Sequence, residues 1–279
     1  MGVISDLNFE TGIAGLSPIQ ALAWGFRLGE RGTHTSRTIM LKELSDLLEA
    51  VPGEVSRKDY ADAIMEANCL GKRTAATRKL SLQRLSELYG LDGRVILFRV
   101  LRDLWGRFET SRPLLALLLA LARDPLLRAT TRAVVGTPYG HEFARQPMKD
   151  ALSDAVGERL SEATLDKVIR NASSSWTQSG HLRGRGRKTR RCVVATPAAT
   201  AYALLLGFAV GQRGRLLFET PWTVVLDAGP DELIDAAVDA KQLGLLNLKQ
   251  SGSMIDVSFP TILTEKEREL LHGTHREAS

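Results

Sequence analysis

Apolar residues recur at three- to four-residue spacing through most of the chain, and turn signals cut the pattern into short helices. Ser36 predicts a cap for a helix running to about Ala50, with Ile39, Leu41, Leu44, Leu47 and Leu48 near helical spacing. Val51-Pro52-Gly53 stops it. Ser56 opens a second helix, with Tyr60, Ile64 and Met65 inward, that ends near Cys69. Thr74 begins a third, through Leu80, Leu82, Leu85 and Leu88 to Gly90. Three short helices with brief turns have the shape of a helix-turn-helix unit.

The stretch from Leu91 to Val135 is the most apolar, with helices expected near 93–106, 112–123 and 125–135. Pro113 and Pro125 sit at first-turn positions, and Trp105, Leu114, Leu117, Leu118 and Leu121 supply a core. Arg128 and Arg132 share a helical face, expected to be solvated. Next, Pro147 starts a helix (Met148, Leu152, Val156) that stops at Gly157. Ser161 caps a longer one carrying Leu165, Val168, Ile169 and Trp176, which ends at Ser179-Gly180. Two extended segments around a glycine-rich turn follow, His181-Leu182-Arg183 and Arg190-Arg191-Cys192-Val193-Val194. This is the element order of a winged helix-turn-helix.

A helix from about Pro230 to Leu243, with Leu233, Ile234, Ala237 and Val238 inward, precedes a second hairpin pattern. There, 245–249 and 254–259 alternate around Gln250-Ser251-Gly252-Ser253. A short charged helix is expected after Ile262. The expected fold is mainly α, with helix-turn-helix and winged-helix modules around a central helical scaffold and small β-hairpin wings. Its regions are an N-terminal helix-turn-helix domain (1–90), the scaffold (91–140), a winged-helix unit with a basic wing (141–195) and an acidic helical or winged unit (196–279).

Composition is that of an ordinary soluble globular protein, 44% hydrophobic and 25% charged over 279 residues. Only 6% of residues are aromatic, too few for the stacking platforms of a single-strand binder. Cys69 and Cys192 read as structural free thiols of a reducing, cytoplasmic setting. Leu114 to Ala122 is too short to span a bilayer. Cys192 to Gln212 is uncharged and long enough, but Pro197 marks the start of a buried helix instead. No membrane association is expected.

Charge is segregated. Residues 57–107 and 140–195 each carry a net +5, residues 108–139 carry +2, and residues 1–56 and 196–279 carry −3 and −4. Such a pattern points to a polyanion for the middle and another partner for the ends. Six of the nine residues from Arg183 to Arg191 are basic: Arg183, Arg185, Arg187, Lys188, Arg190 and Arg191. With Lys167 and Arg170 on the preceding helix, they form a candidate backbone grip on duplex DNA. Ser173, Ser174, Ser175, Thr177 and Gln178 could add hydrogen bonds. A second candidate surface is Lys72, Arg73, Thr77 and Arg78 at the start of the third helix, beside Lys79 and Arg84. For both surfaces the alternative is a solvated basic face, and for the wing also an RNA contact. Asp231, Glu232, Asp235 and Asp239 would repel phosphate, so the C-terminal unit is expected to meet protein or to pack on the chain itself.

No enzyme signature is legible. Arg183 to Thr189 superficially resembles a phosphate-binding loop, but Gly184 and Gly186 have the wrong spacing and no helix follows directly. His34, His141, His181, His272 and His275 are scattered, without a ligand set for a metal. A Ser-His-Asp arrangement cannot be argued from spacing. No catalytic residue, cofactor or metal is expected.

Asn68-Cys69-Leu70-Gly71-Lys72-Arg73-Thr74-Ala75-Ala76-Thr77-Arg78, followed by Leu85-Ser86-Glu87-Leu88, resembles the "N-x-L-x-K-R-S/T" helix-turn-helix segment of the BrxA proteins of BREX phage-defence systems. Leu114 to Arg128 and the helix from Ser161 to Trp176 are also similar to that family. The resemblance covers about residues 36–260. It implies a non-enzymatic, mostly helical protein with winged-helix modules that binds double-stranded DNA within a bacterial anti-phage assembly. Its other partners would be defence-system proteins, met through the acidic C-terminal region. This chain departs from the pattern in its length, extended N-terminus and Arg-rich wing. The alternatives are a protein–protein adaptor and a transcriptional repressor built from winged-helix modules.

Overall fold

A computed structural model describes residues 9–53, 56–252 and 254–272. Two short helices, α1 (Phe9–Ala14) and α2 (Pro18–Trp24), precede the helix-turn-helix unit of α3 (Leu41–Ala50), α4 (Arg57–Met65) and α5 (Ala75–Tyr89). Ser56 caps α4 through a reciprocal bond pair with Asp59, and Thr74 caps α5. The scaffold is α6 (Ile96–Arg107), α7 (Arg112–Arg123), α8 (Pro125–Ala129) and α9 (Thr131–Val135). The winged unit follows as α10 (Arg145–Val156), α11 (Glu162–Gln178) and the strands β1 (Leu182–Arg183) and β2 (Thr189–Arg190). The chain continues with α12 (Pro197–Ala209), α13 (Pro221–Val224), α14 (Pro230–Gln242), the hairpin β3 (Asn247–Ser251) and β4 (Met254–Ser258), and α15 (Glu265–His272). It is a mainly α fold with two small antiparallel hairpins among the described residues.

The centre is built on two helices with no polar face. Every residue of α7 from Leu114 to Ala122 is buried, as is every residue of α12 from Ala198 to Gly207. A helix apolar all round must be covered all round. Accordingly α7 packs against α5, α6, α11 and α12, while α12 also packs against α6 and α14. Tyr202 on α12 donates to the Leu97 carbonyl of α6 at 2.9 Å, so its hydroxyl is satisfied inside this core. One continuous apolar cluster runs from Phe9 to Leu263. No described helix is long and apolar enough to cross a membrane.

At the N-terminal side of α8, one carboxylate gathers three segments. Asp124 caps α8 through Oδ1, which accepts from the Leu126 and Leu127 amides at 2.9 and 3.2 Å. Its Oδ2 accepts from the His34 amide at 3.0 Å and meets His34 Nδ1 at 2.8 Å. His34 Nε2 then meets Ser175 Oγ of α11 at 2.8 Å, and Asn171 of α11 donates to the His34 carbonyl at 2.8 Å. Asp124 and the His34 side chain are 1% and 0% exposed. The approach needs Gly32, where a Cβ would lie 2.2 Å from Asp124 Oδ1 and 2.7 Å from Leu126 Cγ. Hydrogen bonds and the His34 ring hold the Asp124 carboxyl below its ordinary range despite burial.

This network explains the departures from the sequence reading. Ser36 closes a 3-10 turn over Thr33–Thr35 instead of capping α3. The Ile39 amide is drawn to Ser175 Oγ at 2.9 Å and the Leu41 amide to Gln178 Oε1 at 3.1 Å, so the chain stays pinned to α11 until Met40 turns it at φ 52°. The helix expected over 125–135 breaks at Thr130, whose hydroxyl donates to the Leu127 carbonyl and accepts from Trp176 Nε1. Arg128 is buried and ion-paired to Glu10 at 2.7 Å, a correction to the solvated stripe, whereas Arg132 is exposed. Cys192 is exposed, not packed in a core.

Removing the Asp124 carboxylate leaves the two capped amides of α8, the His34 amide and the Nδ1 of a buried imidazole without their partner. Asp124→Ala should lower the stability measured by urea unfolding by about 3–5 kcal/mol. A loss below about 1 kcal/mol would show that His34 and α11 hold their places without it.

Candidate nucleic-acid interface

The basic stretch 183–191 folds as a hairpin against α11. Leu182 pairs with Arg190 and Arg183 with Thr189. The segment before α10 adds a third edge: the Phe143 amide bonds the Lys188 carbonyl at 2.7 Å, the Arg190 amide bonds the His141 carbonyl at 2.9 Å, and Glu142 bridges Thr189. An edge segment, two helices and a hairpin that closes on that segment make up the winged helix-turn-helix arrangement. The turn depends on Gly184. It sits at φ 119°, and a Cβ there would come within 2.1 Å of the Arg187 carbonyl oxygen.

The wing's basic residues divide into two kinds. Arg183, Arg185, Arg187 and Arg191 are exposed, and among the described residues only Arg187 of these has an acidic neighbour, Glu142 at 3.9 Å. Arg190 is fully buried, which corrects its assignment to the DNA-contacting set. Its guanidinium pairs with Asp227 by two bonds of 2.5 and 2.9 Å, and its Nε donates to the Val134 carbonyl at 3.0 Å. Asp227 also accepts from the Val193 amide at 3.0 Å. A strand alternates its faces, so one arginine in this run had to point inward, and the Asp227 fork satisfies it. Lys188 is half-buried. Its ammonium donates to Thr177 Oγ1 at 2.7 Å and to the Gly184 carbonyl at 3.2 Å, and burial pulls its pKa down. It clamps the wing to α11 rather than reaching outward.

Beside this pair, His181 is buried, with Nε2 2.7 Å from the Val225 carbonyl and Nδ1 2.8 Å from Ser179 Oγ. Burial lowers its pKa to about 4.

On α11, Lys167 and Arg170 are exposed and have no ion-pair partner among the described residues. The first turns differ, because Glu162 and Asp166 are tied to Lys149 and Arg145 of α10. The unpaired positive charge of the helix therefore lies in its second and third turns, at Lys167 and Arg170. Ser173 and Ser175 are buried and engaged within the fold, so neither is available to a ligand. Ser174, Thr177 and Gln178 are half-buried.

The second candidate surface is more modest than its sequence suggests. Arg73 is exposed. Lys72 is half-buried and pairs with Glu43 of α3 at 2.9 Å. The Thr77 hydroxyl shares a 2.8 Å bond with the Thr74 cap, and Arg78 has a buried Nε without a partner. Lys79 is exposed, and Arg84 pairs with Glu87 at 2.8 Å.

The start of α3 connects the two surfaces. Lys72 is tied to Glu43, the Leu41 amide to Gln178 at the end of α11, and the neighbouring Thr177 to Lys188 of the wing. The α5 start and the wing base thus flank one turn of α3, a proximity invisible in a sequence that separates them by more than a hundred residues.

His34, Asp124 and Ser175 have the connectivity of a catalytic triad, which spacing could not reveal. The Ser175 hydroxyl is fully buried and engaged by the Ile39 amide, the Asn171 carbonyl and His34. None of the three lines a described cavity. This arrangement ties the fold together. Among the described residues no group of three or more His, Cys, Asp and Glu side chains is placed to hold a metal. Neither the His272 side chain nor His275 lies within the described set. Comparison with family models and with curated proteins gave no match.

Two outcomes follow from this division of the basic residues. Arg190→Ala strands Asp227 and should cost about 3–5 kcal/mol of folding stability in urea, whereas Arg185→Ala should change it by less than about 0.5 kcal/mol. His181, with a folded pKa of about 4 against 6.5, takes up its proton more readily when unfolded. The stability it contributes is complete above pH 6.5 and is lost as pH falls toward about 4. Unfolding free energy should therefore drop by about 2 kcal/mol between about pH 7 and about pH 5, a slope that His181→Gln should flatten.

Proposed function

We propose that this chain is a non-enzymatic protein that grips double-stranded DNA through the wing and the adjoining face of α11. The observation that carries this reading is the cluster of exposed, largely unneutralised arginines at 183, 185, 187 and 191, on a hairpin held in place by a buried ion pair and by a lysine clamp to the helix that carries Lys167 and Arg170. Winged-helix units set their second helix in the major groove and lay the hairpin along the adjacent backbone. Arg73 is exposed next to Lys72, whose pair with Glu43 places it at the start of α3.

In the first turns of α11 the neighbouring cations of α10 are spent on Glu162 and Asp166, and that is the end which reads bases in helix-turn-helix proteins. Affinity is then dominated by the backbone and depends little on base sequence. This distinguishes the reading from a sequence-specific repressor. The resemblance to BrxA proteins adds a setting to the proposal, a bacterial anti-phage assembly that brings the protein to duplex DNA.

One observation favours an additional protein contact. On α14, Asp231, Glu232, Asp235 and Asp239 are exposed together with Val238, and Leu243 follows at 46% exposure. An acidic face with apolar spots suits a protein partner better than a phosphate backbone. A pull-down repeated after nuclease treatment separates the cases: a partner docked here persists, and a DNA-bridged one is lost.

The DNA reading is tested by duplex affinity across a salt series. Log affinity should fall linearly with log salt, at about 0.9 per phosphate contact. The quadruple variant Arg183→Gln, Arg185→Gln, Arg187→Gln, Arg191→Gln should weaken binding at least about tenfold at low salt and flatten the slope by about 3–4. Unchanged affinity in a correctly folded quadruple variant would refute the assignment.

A further inference from the structure

Two arginines, Arg27 and Arg123, line one groove, and neither is paired with a carboxylate among the described residues. The groove, about 880 Å³, runs between α2, the following loop, α5 and the start of α6. Arg123, half-buried at the end of α7, spends donors on backbone carbonyls alone, those of Gly25, Ser86 and Glu87. Arg27 enters from the loop after α2, and its Nη1 is buried with no hydrogen-bond partner. Burial first, and the neighbouring Arg27 second, pull the Arg123 pKa down to about 10.

The remaining charges strengthen the case. Arg57 and Lys79 also line the groove, giving four cations. Its two carboxylates are committed: Glu87 to Arg84 at 2.8 Å and Thr33 at 2.9 Å, and Asp92 to Arg94 at 2.7 Å. Val95, on the wall, begins α6 without a side-chain cap. Elsewhere the lining is apolar, with Leu22 77% and Leu28 46% exposed alongside Phe26 and Leu82. Like charges left together in a desolvated place are unfavourable unless an anion joins them, and paired guanidinium groups match the oxygens of phosphate or carboxylate. The volume falls within the usual range for small-molecule sites, about 300–1,000 Å³.

We propose that this groove is a binding site for a small organic anion, whose phosphate or carboxylate sits between Arg27 and Arg123 and whose apolar body lies against Leu22, Phe26, Leu28 and Leu82. Because α5 supplies Lys79 and Leu82 to the groove and Arg73 directly precedes its Thr74 cap, an occupant would touch the helix that follows this part of the proposed DNA surface.

Thermal shift and calorimetry on the full chain test the site with four probes: phenyl phosphate, phenylacetate, inorganic phosphate and phenol. Phenyl phosphate or phenylacetate should bind at millimolar concentration or better, whichever acid the site prefers. Inorganic phosphate should bind more weakly than the preferred probe, and phenol not at all. Arg27→Gln should weaken the preferred probe about tenfold or more while leaving duplex affinity unchanged. The exposed Leu28, changed to Ser, should weaken the aromatic probe and spare inorganic phosphate. Relieving the repulsion at Arg123, Arg27→Gln should also leave the unliganded protein at least as stable as before. No binding by either anionic aromatic probe, or equal binding by Arg27→Gln, overturns the proposal. So does displacement of the bound probe by a short duplex, since the groove would then belong to the DNA surface. Duplex affinity is read separately, so failure of this site is distinguishable from failure of the DNA reading.

Discussion

The Asp124 carboxylate is the constraint on which the arrangement of the helices depends. A buried carboxylate is tolerable only where its lone pairs are filled, and this one caps α8 while receiving both the amide and the ring of His34. Through His34 and Ser175 the same network reaches Ile39 and Asn171. Three stretches distant in sequence, the 32–39 loop, the start of α8 and the middle of α11, therefore share one polar centre inside an otherwise apolar core. It positions α11 on the scaffold, and α11 in turn carries the wing.

A buried charge pair does for the wing what Asp124 does for the scaffold. Arg190 and Asp227 join β2 to the segment before α14, and Val134 and Val193 contribute backbone groups to the same cluster. Because this inward arginine and the Lys188 clamp fix the base of the hairpin, its other arginines can be presented with little loss of order on binding. Preorganisation of this kind favours contact with a regular polyanion over a flexible basic tail, which must be ordered at the moment of contact. The neutralised first turns of α11 and the charge-rich wing then place the electrostatic weight at one end of the unit.

Besides those in surface ion pairs, cationic groups among the described residues occur in three settings that matter here: paired and buried in the core, solvated and largely unpaired along the wing, and unpaired with carboxylates but desolvated beside the α2–α5 groove. Only the last two leave binding capacity unused. The first binds nothing further, however basic its sequence surroundings.

Most of the architecture was legible in the sequence because local rules govern it. Ser56, Thr74 and Ser161 are side-chain caps at helix starts, Pro125, Pro197 and Pro230 occupy first-turn positions, and the alternation around Gly252 marks the β3–β4 hairpin. The winged order of elements and the all-apolar α7 and α12 follow from the same short-range information. What the sequence could not determine was which polar residues would meet. Asp124 is readable as a cap, but its bond to His34 spans 90 positions and that of His34 to Ser175 spans 141. Arg190 is indistinguishable in composition from Arg185 or Arg187, and only the strand's alternation and the arrival of Asp227 turned it inward. The pairing of Arg27 with Arg123 has no sequence signal at all. Helix periodicity and capping are decided within a few residues of the chain, so the sequence alone determined most of the elements, the exceptions being the start of α3 and the break at Thr130, which contacts with α11 decide; burial and ion pairing are decided by distant groups, so tertiary structure alone determined which charges became structure and which remained free to bind.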